Sequence, residues 1–93
     1  MFTKIKKMVG NIIVTRSGKT YVVAKSSDKR IYAMNLNGNG FFYIDDGRYD
    51  AEGNYISNNK RDIVKVYKTI GGHSFGGFDE DIIPANLIFD RED

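Results

Sequence analysis

Val9-Gly10-Asn11-Ile12-Ile13-Val14-Thr15-Arg16-Ser17-Gly18-Lys19-Thr20-Tyr21-Val22-Val23-Ala24 decides the fold class. Two runs rich in β-branched residues flank a short polar turn, the local signature of a β-hairpin. Ile12 to Val14 reads as the first strand and Thr20 to Ala24 as the second. Between them Gly18 supplies the positive φ that such a loop needs at one position, at no steric cost.

Outward from this hairpin the pattern repeats. Ser26-Ser27-Asp28-Lys29-Arg30 reads as a turn and Ile31 to Leu36 as a third strand. Alternation puts Tyr32, Met34 and Leu36 on one face of it and Ile31, Ala33 and Asn35 on the other, and the first set is expected to face the core. Asn37-Gly38-Asn39-Gly40 is the strongest turn signal in the chain, since Asn and Gly tolerate left-handed backbone. Phe41-Phe42-Tyr43-Ile44 follows as a fourth strand, aromatic on both faces, so that either both are buried or one presents rings to a partner. Asp62 to Lys68 closes the set as a fifth strand.

Before that fifth strand, Asp45 to Arg61 is long, polar and rich in turn residues. A connection of this length is uncommon in a compact domain and is expected to be mobile or functional, with Tyr49, Tyr55 and Ile56 available to pin parts of it. On the other side of the hairpin, Phe2, Ile5 and Met8 recur at three-residue spacing, which suits one or two helical turns, with a short strand as the alternative. Close-spaced short strands with tight turns predict an all-β domain, either a small SH3-like barrel or a strongly bent antiparallel sheet of five to six strands. Residues 1–68 form this domain with its lead-in. Residues 69–93 differ in character, with a glycine-rich hinge (Gly71 to Gly77), an acidic cluster and an apolar end in which Leu87 to Phe89 is a sixth strand. That end either completes its own sheet or adds to a neighbour's edge. The second arrangement predicts a homo-oligomer stabilised by residues 79–89.

The chain has 93 residues, no cysteine and one histidine. Disulfides, thiolate metal sites and a cysteine nucleophile are therefore excluded. With His73 alone, neither a catalytic triad nor a zinc site finds its ligands, and an exposed loop histidine is the preferred reading. The basic N-terminus is followed by no apolar run of signal-peptide length, and no stretch approaches the roughly 20 apolar residues of a membrane helix. The chain reads as cytoplasmic, with no membrane partner. The net charge of +2 hides a polarity: residues 1–30 carry eight Lys and Arg against one acid, and residues 69–93 carry one Arg against six acids. Such ends can pair with each other or with outside partners.

Motifs for small ligands are weak. Gly71-Gly72-His73-Ser74-Phe75-Gly76-Gly77 offers bare backbone N–H groups to an anion, yet it lacks the ending of a P-loop and the spacing of a dinucleotide fingerprint. Asp45, Asp46, Asp50, Glu52 and Asn54 gather oxygen ligands without the register of an EF-hand. A solvated loop is preferred over a calcium site, and no cofactor is expected. Basic residues of the front half beside Tyr21, Tyr32, Phe41 and Tyr43 suit single-stranded nucleic acid, but the acidic tail competes for that surface.

The run Val9 to Val23, together with Asp62-Ile63-Val64-Lys65-Val66-Tyr67, resembles small accessory proteins of phages and prophages of Gram-positive bacteria. The likeness spans residues 9–68 and brings no catalytic residues with it. It implies a non-enzymatic protein that counteracts a bacterial defence system by binding, within the host cytoplasm. In the favoured form it inhibits an immune protein, with Asp79, Glu80 and Asp81 set against a basic groove and Phe75 and Phe78 beside them. In the alternative, an oligomer sequesters an anionic nucleotide signal. Lys4, Lys6, Lys7, Arg16, Lys19 and Ser74 then hold phosphate, and Tyr32, Phe41 or Phe75 stacks on the base. Nucleic-acid binding stands third.

Overall fold

The computed structural model describes residues 8–37, 40–50, 53–69 and 82–91. These form one open antiparallel sheet of six strands, with no α-helix among the described residues. In chain order the strands are β1 (Ile12–Thr15), β2 (Thr20–Lys25), β3 (Ile31–Asn35), β4 (Phe41–Tyr43), β5 (Ile63–Tyr67) and β6 (Leu87–Asp90). Across the sheet the order is β4-β3-β2-β1-β5-β6. The five strands and the sixth fall within a residue or two of their expected bounds. Of the two end-segment arrangements, β6 lies beside β5 of its own chain. The helical turns expected for the lead-in lie outside the described residues, except for Met8, which is buried in the core.

Turn chemistry sets the hairpins. Thr15 N–H donates to the Lys19 carbonyl at 3.0 Å and Gly18 N–H to the Thr15 carbonyl at 2.8 Å. Gly18 sits at φ +86°, as the hairpin reading requires. The β2–β3 turn is closed by Ser26 N–H on the Arg30 carbonyl at 2.8 Å, and here Lys29, not a glycine, takes the left-handed position at φ 67°.

Directly paired residues share a face, so the register sorts the side chains. One face carries the row Asn35, Tyr21, Ile13, Val66 and Phe89, with Phe42, Ala33 and Val23 in the next row. This is the core face: Ile13, Val23, Ile31, Ala33, Ile44, Ile63 and Val66 are buried together. The other face carries Phe41, Met34, Val22, Ile12, Tyr67 and Leu87 in one row. The expected orientation of β3 is therefore reversed. Ile31 and Ala33 point into the core and Met34 points out, because Ala33 pairs with the buried Val23 and must share its side of the sheet. β1 is buried on both faces, with Ile12 and Ile13 both fully buried.

The long connection before β5 follows from this topology. β4 is an edge strand and β5 lies beyond β1, four inter-strand steps away. At about 4.8 Å each, the chain has to travel about 19 Å across the core face. It does so as an ordered cover. Tyr49 and Tyr55 pair across a small hairpin, their rings meet edge to face at 5.0 Å, and both are buried against the sheet. The Tyr49 hydroxyl donates to the Arg61 carbonyl at 2.6 Å. Burial pushes that phenol well above its ordinary range, with the neighbouring Tyr55 adding to the effect. Ile56, the third expected anchor, is 74% exposed and contributes only its backbone N–H, which donates to the Arg48 carbonyl at 2.8 Å. A 3-10 turn at Asn59–Arg61, capped by the Asn58 side chain, delivers the chain to Asp62.

Asp62 ties the cover to the sheet. It is buried, and its Oδ1 accepts from Tyr55 N–H at 2.8 Å. Its Oδ2 faces Arg16 at 3.4 Å and Arg91 at 3.8 Å. One carboxylate thus joins the β1–β2 turn, the cover and the end of β6.

Candidate binding surface

The outer face is apolar and its exposure rises toward β4. Ile12 and Tyr67 are buried, whereas Met34 is 42% exposed and Phe41 58%. Tyr32, Phe41 and Tyr43 form a ring cluster, with Tyr32–Phe41 centroids at 5.5 Å and Phe41–Tyr43 at 5.7 Å, both edge to face. With Met34 and Ser26 they line an open hollow of about 250 Å³. A drug-sized pocket is usually about 300–1,000 Å³ and enclosed. This one is smaller and open, which suits a side chain of a partner better than a small molecule.

The patch is held rigidly. Pairing of Tyr32 with Tyr43 and of Met34 with Phe41 fixes the relative positions of all four side chains. The Arg30 guanidinium lies over the Tyr43 ring at 4.2 Å, and its Nε donates to Asp45 at 3.2 Å. The other oxygen of Asp45 accepts from Ile31 N–H at 2.9 Å. That backbone hydrogen bond, helped by Arg30, holds the Asp45 carboxyl below its ordinary value. Ser26 donates its hydroxyl to Asp28, which lowers the Asp28 pKa in turn.

β4 has a second property. Phe42 faces Ala33, and Ile44 N–H donates to the Ile31 carbonyl at 3.0 Å on one side while Asn35 N–H donates to the Gly40 carbonyl at 3.1 Å on the other. In an antiparallel ladder the inward and outward backbone groups alternate. Phe41 and Tyr43 therefore turn their backbone N–H and C=O to the open edge. The residues whose rings build the patch also carry the free edge of the sheet.

A smaller hollow, about 190 Å³, opens on the opposite side of the β3–β4 hairpin. Lys19, Tyr21, Asn35, Gly40, Phe41, Phe42 and Arg61 line it. The Arg61 guanidinium stacks 5.2 Å from the Phe42 centroid and 5.4 Å from that of Tyr55.

Of the residues singled out in the sequence, Tyr32 and Phe41 meet in the first hollow, and Lys19 and Phe41 border the second. Arg16 is directed to Asp62 instead. Lys4, Lys6, Lys7, Ser74, Phe75, Phe78, Asp79, Glu80 and Asp81 lie outside the described residues, as do His73 and the glycine-rich run. The described carboxylates of the 45–54 loop face their own backbone and neighbours: Asp46 takes Arg48, and Asp50 takes Asn54, while Glu52 lies outside the described residues. Among the described residues no group of three His, Cys, Asp or Glu side chains could hold a metal ion, and no helix is long and apolar enough to cross a membrane. Sequence reasoning missed Met34, which it assigned to the core. It also missed Arg61 and Asn35, which only the strand order brings beside Lys19. Comparison of the chain with protein-family profiles, with curated proteins and with solved structures gave no match.

Proposed function

We propose that this chain is a binding protein that holds an extended segment of a partner protein along β4, with alternate partner side chains seated on Tyr32, Met34, Phe41 and Tyr43. The observation that carries this reading is the coincidence of an exposed apolar patch and an open backbone edge on the same three-residue strand. In strand addition, main-chain hydrogen bonds give affinity and pockets for alternate side chains give specificity. A large exposed apolar surface at an unprotected edge is otherwise a liability that sheets avoid. A nucleic-acid partner is less well supported, because the cation packed on this patch, Arg30, is already committed to Asp45 and to the Tyr43 ring.

The resemblance of residues 9–68 to phage accessory proteins supports a bacterial immune protein as that partner, with inhibition as the consequence. The acidic residues Asp79, Glu80 and Asp81 then add charge complementarity to a basic partner surface. The test is phage plating on bacteria carrying a panel of defence systems. The wild-type chain is expected to restore plating against at least one system, and Met34→Glu to abolish the effect without unfolding the protein. If Met34→Glu protects as well as wild type, docking at β4 is wrong. Reversing the charge of Asp79, Glu80 and Asp81 separates the acidic contribution from that of the patch.

A further inference from the structure

We infer that the hollow between Lys19 and Arg61 is a binding site for a phosphate group, on the opposite side of the β3–β4 hairpin from the proposed docking patch, with which it shares only Phe41 among the described residues. The argument is chemical. Among the described residues, the polar side chains of the lining are Lys19, Tyr21, Asn35 and Arg61, with no carboxylate. Neither Lys19 nor Arg61 has an acidic partner among the described residues, in contrast to Arg16, Arg30, Arg48 and Arg91, which all do. Two cations thus share one concave surface, and no described carboxylate neutralises them.

The remaining polar groups have the same sense. Asn35 Oδ1 accepts from Asn37 N–H at 2.8 Å, which turns the amide so that its Nδ2 is the group left to donate. The Tyr21 hydroxyl is a further donor. Arg61 is held in place by the Phe42 and Tyr55 rings and by a 3.5 Å hydrogen bond to the Tyr55 hydroxyl, so its planar fork is set before any ligand arrives. A site of donors with two positive charges selects an anion, and a preset guanidinium matches the oxygens of a phosphate. A volume of about 190 Å³ suits a phosphoryl group rather than a whole nucleotide. The ligand is therefore phosphate itself or the phosphate end of a small ester.

The test is titration of the full chain with inorganic phosphate and, separately, with adenosine monophosphate, followed by amide chemical shifts. Saturable shifts at Lys19, Asn35, Phe42 and Arg61 are expected from one or both. Lys19→Gln and Arg61→Gln should each weaken binding about tenfold, and added salt should weaken it further. Equal affinity for the two probes assigns the site to free phosphate; tighter binding of the ester assigns it to a nucleotide. The inference fails if neither probe gives saturable shifts at about 10 mM, or if Lys19→Gln binds as wild type does. Lys19 is exposed on a turn, so its variant tests the site without disturbing the core. Met34→Glu, which tests the docking patch, should leave phosphate binding unchanged.

Discussion

At the scale of single residues, a few polar groups decide how the sheet is closed. Asp62 accepts from Tyr55 N–H and faces two guanidinium groups. Replacing it with alanine leaves a buried N–H unpaired and removes the carboxylate that two guanidinium groups face, so Asp62→Ala should cost about 2–4 kcal/mol in urea denaturation. A loss under about 0.5 kcal/mol would mean that the contact is incidental. Lys29 occupies left-handed backbone at φ 67° with no glycine to relieve it. Lys29→Gly should therefore be neutral or raise stability by up to about 1 kcal/mol, in contrast to the usual cost of an added glycine. Asp45 gives a pH signature. Its folded pKa lies below the ordinary value, so its contribution is complete above the unfolded value of about 3.9 and is lost as pH falls through the folded one. Asp45→Asn should accordingly flatten the acid limb of the stability curve below about pH 4, with little change in its shape at neutral pH.

At the scale of elements, the strands were legible because each carries β-branched or aromatic residues between turn residues that can do little else. Gly18 illustrates it: the residue type, the position and the φ of +86° agree, and Gly18→Ala should cost about 1 kcal/mol through backbone strain alone, since a Cβ there would touch nothing. The facing of β3 was not legible. Ile31, Tyr32, Ala33 and Met34 are apolar without a break, so alternation offers no polar face to break the tie. The partner strand's register settles it. The reason for the length of the connection between β4 and β5 was not legible either, because it reflects the distance to be crossed, which depends on strand order. Its anchors, Tyr49 and Tyr55, were readable as aromatics stranded in a polar run. Tyr49→Phe, which removes the hydroxyl bond to the Arg61 carbonyl, should destabilise by about 1 kcal/mol and speed amide exchange in the cover before it affects β1.

At the scale of the molecule, the sheet has one central strand buried on both faces, one face covered by its own chain, and an outer face left open toward β4. That asymmetry is what the proposed function rests on. The candidate surface was half legible: Tyr32 and Phe41 stood out as aromatics, while Met34 and the pairing of Lys19 with Arg61 emerge only once β2, β3 and the start of β5 are brought together. The most direct test of strand addition is amide hydrogen exchange at β4. The protein is measured alone and with a short peptide selected for binding from a random library. The account predicts that Phe41 and Tyr43, whose amides face the open edge, become protected in the complex, while Phe42, already paired with β3, changes little. Binding that leaves Phe41 and Tyr43 exchanging as fast as in the free protein would contradict it.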